Sequence, residues 1–108
     1  MDLSLRVEHD QDEAVLIVDG GVNYGNAARL HQALQELFAS GVRCIRVDLS
    51  GCTSMDASGL ATLIEGLQWR RRHRGRFELV RPSPAVRDMM RLYRLEGVFG
   101  LNETEQAA

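Results

Sequence analysis

Apolar and polar residues change their spacing several times along the chain. "LSLRVEH" (residues 3–9) alternates between the two classes, the period of a half-buried strand. "DQDE" (10–13) turns the chain. "AVLIVDG" (14–20) is an apolar run rich in β-branched residues and predicts a better-buried strand. "GGVNYGNA" (20–27) breaks the pattern with three glycines and two asparagines. It reads as a loop, with Asn26 placed to cap a helix beginning at Ala27.

From Ala27 to Ser40 the period becomes helical. Leu30, Leu34, Leu37 and Phe38 form one stripe, and Gly41 sits where a left-handed terminating residue is wanted. "VRCIRVDL" (42–49) reads as a strand and "SGCTSM" (50–55) as a loop. Asp56 or a near neighbour caps a second helix, whose stripe is Leu60, Leu63, Ile64 and Leu67. That helix ends in "RRRHRG", with cations in the last turn and Gly75 as the stop. "RFELV" (76–80) is a fourth strand. Ser83 is a natural N-cap and Pro84 a natural first residue for a third helix. Its predicted buried stripe is Val86, Met89, Met90 and Tyr93, with Gly97 as its end.

The resulting order, β-β-α-β-α-β-α, predicts an α/β domain whose later strands run parallel through right-handed helical crossovers. The first strand adds at an edge. Partners of such sheets meet the loops at the carboxyl ends of the strands. Two segments qualify best: "GGVNYGNA" and "SGCTSMDAS".

Composition narrows the chemistry. A chain of 108 residues predicts one domain, here residues 1–101, followed by a polar tail, "NETEQAA" (102–108). The net charge of −2 argues against a general nucleic-acid or anionic-lipid surface. All thirteen basic residues are arginine, so no catalytic lysine exists. Cys44 and Cys52 form neither a disulfide framework nor a zinc motif. The acidic start resembles no secretory signal, and no apolar run reaches membrane-spanning length. The expectation is a cytoplasmic, thiol-reduced protein without metal or cofactor. The "RRRHRGR" run (70–76) reads as a solvated helix end or as a patch for phosphates. Trp69 lies off its helix stripe. Its ring either serves a partner surface or weak homodimer, or folds over the sheet edge.

The chemistry centres on "SMDASGL" (54–60). Ser58 has three readings. It is a cap or neutral surface residue, with Asp56 equally able to cap, a role worth ~1 kcal/mol. It is a nucleophile, but the first glycine of a GxSxG elbow is missing, and neither His31 nor His73 has reason to approach it. Or it accepts a phosphate: the first turn of a helix offers unpaired N–H groups and a positive dipole end. In that reading Gly59 opens the backbone to another protein's active site.

"VDLSGCTSMDASGL" resembles the signature of the STAS domain, found in sulphate transporters and bacterial anti-sigma factor antagonists. Asp48, Leu49, Ser50, Met55, Asp56, Ser58, Gly59 and Leu60 fit its pattern; Ala57 stands where serine is usual. "PSPAVRDMMRLYRLEGVFGL" (82–101) is similar to the antagonists' final helix.

The resemblance implies a four-stranded mixed sheet, first strand at an edge, flanked by three or more helices. It also implies partner switching. The unmodified antagonist binds an anti-sigma factor, usually a serine kinase of histidine-kinase-like ATPase type, and so frees a sigma factor. Phosphorylation of Ser58 ends binding, and a PP2C-type phosphatase restores it. The antagonist is a ligand and a substrate, not an enzyme, with no direct nucleic-acid contact and no membrane insertion. The partner-binding residues implied are Asn23, Tyr24, Asp56, Ala57, Ser58, Gly59, Leu60 and Thr62. The alternative is a cytoplasmic STAS subunit that binds a lipid-transport ATPase without a phospho-switch. Family members commonly carry acids where this chain has Gly21 and Asn23.

Overall fold

The computed structural model describes residues 2–101; the tail expected at 102–108 lies outside the described residues. Seven elements occur in the predicted order: β1 (Ser4–Asp10), β2 (Glu13–Val22), α1 (Ala27–Ala39), β3 (Cys44–Met55), α2 (Ala57–His73), β4 (Arg76–Val80) and α3 (Pro84–Leu92). They build one mixed sheet in the spatial order β1-β2-β3-β4. β1 pairs antiparallel to β2 at one edge, and β2, β3 and β4 run parallel.

Side-chain alternation gives the sheet two unlike faces. Ala14, Ile45 and Phe77 lie in register across β2, β3 and β4, as do Leu16, Val47 and Leu79, and all six are buried. The helices bring Leu30, Leu34, Leu37, Leu60, Leu63, Val86 and Met90 into the same core. Burying each such side chain stabilises the fold by about 1.5–3 kcal/mol. The opposite face carries half-exposed charges. Arg46 donates to Glu13 at 2.8 Å and to Glu78 at 3.2 Å. Arg81 pairs with the buried carboxylate of Asp48.

Parts of the two segments expected as loops are strand: Gly20–Val22 of the first, which keeps its turn at Asn23–Asn26, and all of the second up to Met55. β2 continues through Gly20 and Gly21 to Val22, and β3 runs twelve residues to Met55. The pairing stays closed because β3 bulges twice: Ile17 faces Asp48, but Val22 faces Met55. Small residues signal a turn in sequence; here they accommodate the bulges.

The helix ends differ from expectation in three places. Asn26 precedes α1 without a side-chain bond to the helix. Arg74, not Gly75, adopts the left-handed conformation that ends α2 (φ 53°), and Gly75 lies against the Trp69 ring. α3 stops at Leu92, well before Gly97, which leaves Tyr93 exposed rather than in the core. Ser83 caps α3 as expected, accepting from Val86 N at 3.3 Å. Its hydroxyl also donates to Cys52 O at 2.6 Å, which ties the helix to β3.

Trp69 is buried, its ring stacked on Phe38 with centroids 5.4 Å apart. The ring thus closes the gap between α1 and α2 and does not form an exposed surface. The inward side of α2 also includes Gly59, Thr62 and Gly66, whereas Ile64 and Leu67 are only half-buried.

Candidate functional site

The carboxyl ends of β2 and β3 lie side by side, with Gly21 opposite Ser54 and Val22 opposite Met55. Asp56 N donates to Val22 O at 3.1 Å, so the two chains part together. β2 leads into a tight turn, Asn23–Asn26, and β3 leads directly into α2. This brings together residues some thirty positions apart in sequence.

Asp56 organises the junction. One carboxylate oxygen, Oδ1, accepts from Ser58 N at 2.9 Å and from Gly59 N at 3.3 Å, capping α2. The other, Oδ2, accepts from Tyr24 N at 3.0 Å, across to the β2–α1 turn. The first-turn N–H groups of Ser58 and Gly59 are therefore already paired with an anion. A phosphate on Ser58 would meet a carboxylate there, not a vacant helix end.

The Asn23 side chain is spent within its own turn. Its Oδ1 accepts from Gly25 N at 2.8 Å and Asn26 N at 3.2 Å. Asn26 holds the same turn from the other side, accepting from Asn23 N at 2.8 Å and donating from Nδ2 to Gly21 O at 2.9 Å. The Tyr24 ring projects from this turn, 87% exposed.

Of the residues expected at a partner surface, Asn23, Tyr24 and Ala57 are exposed, and Asp56 and Ser58 are half-buried. Gly59, Leu60 and Thr62 are buried. They build the platform beneath the surface. A Cβ on Gly59 would lie 2.7 Å from Met55 Cγ and 2.8 Å from Val22 Cγ1. Gly59 thus lets α2 start hard against the two strand ends, and does not open the backbone to a visiting enzyme. Thr62 Oγ1 donates to Ser58 O at 3.1 Å, closing the first turn from inside. Thr53 and Ser54, read from sequence as part of a loop, are exposed beside Ser58. They lie together between buried Cys52 and Met55, where the pairing of β3 with β2 shifts register, which the local sequence does not show.

The carboxylate bonded to Ser58's own backbone is that of Asp56. Gly21 and Asn23 stand where family members commonly carry acids, and Gly21 is closely packed. A Cβ on Gly21 would stand 2.7 Å from Ser54 Oγ, so no side chain fits without moving that hydroxyl.

No imidazole serves Ser58. His31 on α1 bonds Glu65 at 2.8 Å, about 10 Å along α2 from Ser58. His73 sits at the far end of α2, and His9 pairs with Ala14 near the opposite end of the sheet. Burial pushes the Cys52 thiol above its ordinary range, and the thiol donates to Ser54 O at 3.2 Å. Among the described residues, no group of three or more His, Cys, Asp or Glu is placed to hold a metal, and no helix is long and apolar enough to cross a membrane.

The chain is a mixed four-stranded sheet packed by helices, with Ser58 on the first turn of the helix that follows the third strand. A family model described as "Mlab, STAS domain" matches residues 5–102, and the chain belongs to the STAS family. Among solved structures it is similar to the anti-sigma factor antagonist SpoIIAA in its unphosphorylated form, with 19% identity and a TM-score of 0.76, covering 89% of this chain and 84% of that one. The Bacillus cell fate determinant SpoIIAA in the phosphorylated form gives 18% identity and 0.71, covering 89% and 87%. An anti-sigma factor antagonist from Mycobacterium paratuberculosis gives 24% and 0.78, covering 91% and 83%. At these identities the likeness is one of fold.

Proposed function

We propose that this protein is an anti-sigma factor antagonist that works by partner switching. The unmodified chain binds an anti-sigma factor of the serine-kinase type through the Asn23–Asn26 turn and the residues around Ser58. Phosphorylation of Ser58 blocks that binding, and a PP2C-type phosphatase reverses it. The observation that carries the reading is Ser58 itself: half-buried, on the first turn of α2, without an imidazole that would make it a nucleophile, and flanked by exposed Tyr24, Thr53, Ser54 and Ala57. The phosphorylated and unphosphorylated forms of a protein sharing this fold support a modification at such a module.

The switch has sufficient strength. A phosphoserine carries about −1.5 to −2 charges. At roughly 6 Å from the Asp56 carboxylate and an effective dielectric near 20, repulsion is about 3 kcal/mol per unit charge before solvent screening. Screening at this half-exposed position removes much of that. A residual ~2 kcal/mol that displaces the Asp56 contacts, and that a partner must overcome to restore the docking face, changes affinity more than tenfold. Val22, Met55 and Leu60 beneath this turn are buried, so the charge acts first on the Asp56 contacts at the surface and leaves the core packed.

A second reading has one observation in its favour. The matching family model is described by the name Mlab and not as a sigma-factor regulator. In that reading the same face clamps the ATPase subunit of a lipid transporter, and Ser58 is a contact only. Incubation with a candidate anti-sigma kinase and ATP, followed by intact mass measurement, separates the two. Addition of one phosphate to wild type and none to Ser58→Ala supports the antagonist. A chain that binds a transporter ATPase with unchanged affinity after Ser58→Asp supports the clamp.

A further inference from the structure

We infer that Asp56 is a positioning residue that holds the exposed Tyr24 ring in its docking attitude, and that modification of Ser58 acts on Tyr24 through it. The inference rests on the antagonist reading of Ser58.

Three observations converge. Tyr24 is the most exposed large apolar side chain of the described residues, at 87%, and stands beside Ser58's turn. An aromatic residue that projects rigidly from a surface is the usual anchor of a protein interface, inserted into an apolar pocket with a polar rim for the phenol. The turn bearing Tyr24 is closed on itself by Asn23 and Asn26, and Asn26 also ties it back to β2. Among the described residues, its hydrogen bond to the start of α2 is the one from Tyr24 N to Asp56 Oδ2, at 3.0 Å. Finally, the same carboxylate holds the N–H groups of Ser58 and Gly59 through Oδ1. A single planar group thus links the modification site to the anchor.

A phosphate on Ser58 Oγ lies within about 6 Å of Oδ1, since Ser58 N is bonded to that oxygen and Oγ is two bonds from Cα. The dianion repels the carboxylate and competes with it for the same two first-turn N–H groups. As the carboxylate turns away, Tyr24 N–H loses its acceptor and the ring loses its fixed attitude. Binding is then lost at two points, the new charge and the released anchor. The partner this face fits is the anti-sigma kinase, presenting an apolar pocket for the Tyr24 phenol beside the exposed Asn23 and Ala57.

The test needs no partner. Amide hydrogen exchange and amide chemical shifts are followed by NMR in wild type, in Asp56→Asn, and in protein carrying phosphoserine at position 58 introduced during translation. The expected result is about tenfold or faster exchange at Tyr24 in both altered forms, equivalent to about 1.4 kcal/mol. An upfield shift of its amide proton accompanies it, while Leu16 and Val47 stay protected. The phosphoserine form retains Asp56, so it decides the matter even if Asp56→Asn unfolds. Wild-type exchange at Tyr24 in the phosphoserine form overturns the inference. If kinase binding is nonetheless lost on phosphorylation, the antagonist reading survives that failure. A released Tyr24 with undiminished kinase binding refutes the antagonist reading instead and leaves the Asp56 link standing.

Discussion

Replacing Gly59 with alanine tests how tightly the platform under Ser58 is built. The new methyl carbon would stand 2.7 Å from Met55 Cγ and 2.8 Å from Val22 Cγ1. Both neighbours are buried, and Val22 is branched next to the backbone, so it has little room to withdraw. Overpacking of this kind costs about 1–3 kcal/mol. The helix gains up to about 1 kcal/mol from alanine over glycine, and less at a first turn. The net expectation is a loss of about 1–2 kcal/mol, or a fall in Tm of roughly 5–15 °C for a domain of this size. Urea unfolding followed by circular dichroism measures it. Val22→Ala removes one obstacle, so Gly59→Ala in that background should cost about 0.5 kcal/mol less or better, a coupling between neighbours of about the usual size. Equal or greater stability for Gly59→Ala alone would refute the packing argument. Strict additivity with Val22→Ala would show that the strain lies elsewhere.

Three further outcomes are expected from the geometry. Ser83→Ala strands two buried groups, Cys52 O and Val86 N, and should cost about 2 kcal/mol in the same unfolding assay. Burial alone would raise the Asp48 carboxyl, but bonds from Ser50 N–H, the Ser50 hydroxyl and Arg81 outweigh it and hold the group below its ordinary 3.8. A depressed carboxyl contributes stability above its unfolded value and loses it as pH falls through the folded one. Wild type should therefore lose more stability than Asp48→Asn as pH drops below about 4, and parallel acid profiles for the two would contradict this assignment. Cys44 and Cys52 are both buried, and burial pushes both thiols up. Neither should react with a thiol reagent at about pH 7 until denaturant is added, as a colorimetric thiol assay will show.

The helices were readable in the sequence because each carries an apolar stripe, though in α2 only Leu60 and Leu63 of it are fully buried. Leu30, Leu34 and Leu37 are buried as their spacing requires, and Ser83 with Pro84 marks the start of α3 without ambiguity. The strand ends were not readable. Gly20, Gly21 and Gly51 carry the local signal of a turn, while their strand pairing is a long-range fact fixed by bulges in β3. Tyr93 shows the same limit from the other side: its spacing fits the stripe, but α3 ends one residue too early to bury it. At the site, the motif pointed to Asp56 and Ser58. It did not show that Asp56 would also bond Tyr24, thirty-two positions away. Nor could it tell the exposed residues of the motif from the buried Gly59, Leu60 and Thr62, since that depends on where the strand ends lie beneath α2.

If Ser58 governs a surface and not a fold, its modification must change affinity while the domain stays folded. Titration calorimetry of the anti-sigma kinase against unmodified protein and against protein with phosphoserine at position 58 tests this directly. The prediction is about a tenfold or greater weakening of association for the phosphorylated form, which remains folded and unfolds cooperatively well above the assay temperature. Equal affinities, or a lost affinity that tracks a lost fold, would contradict it.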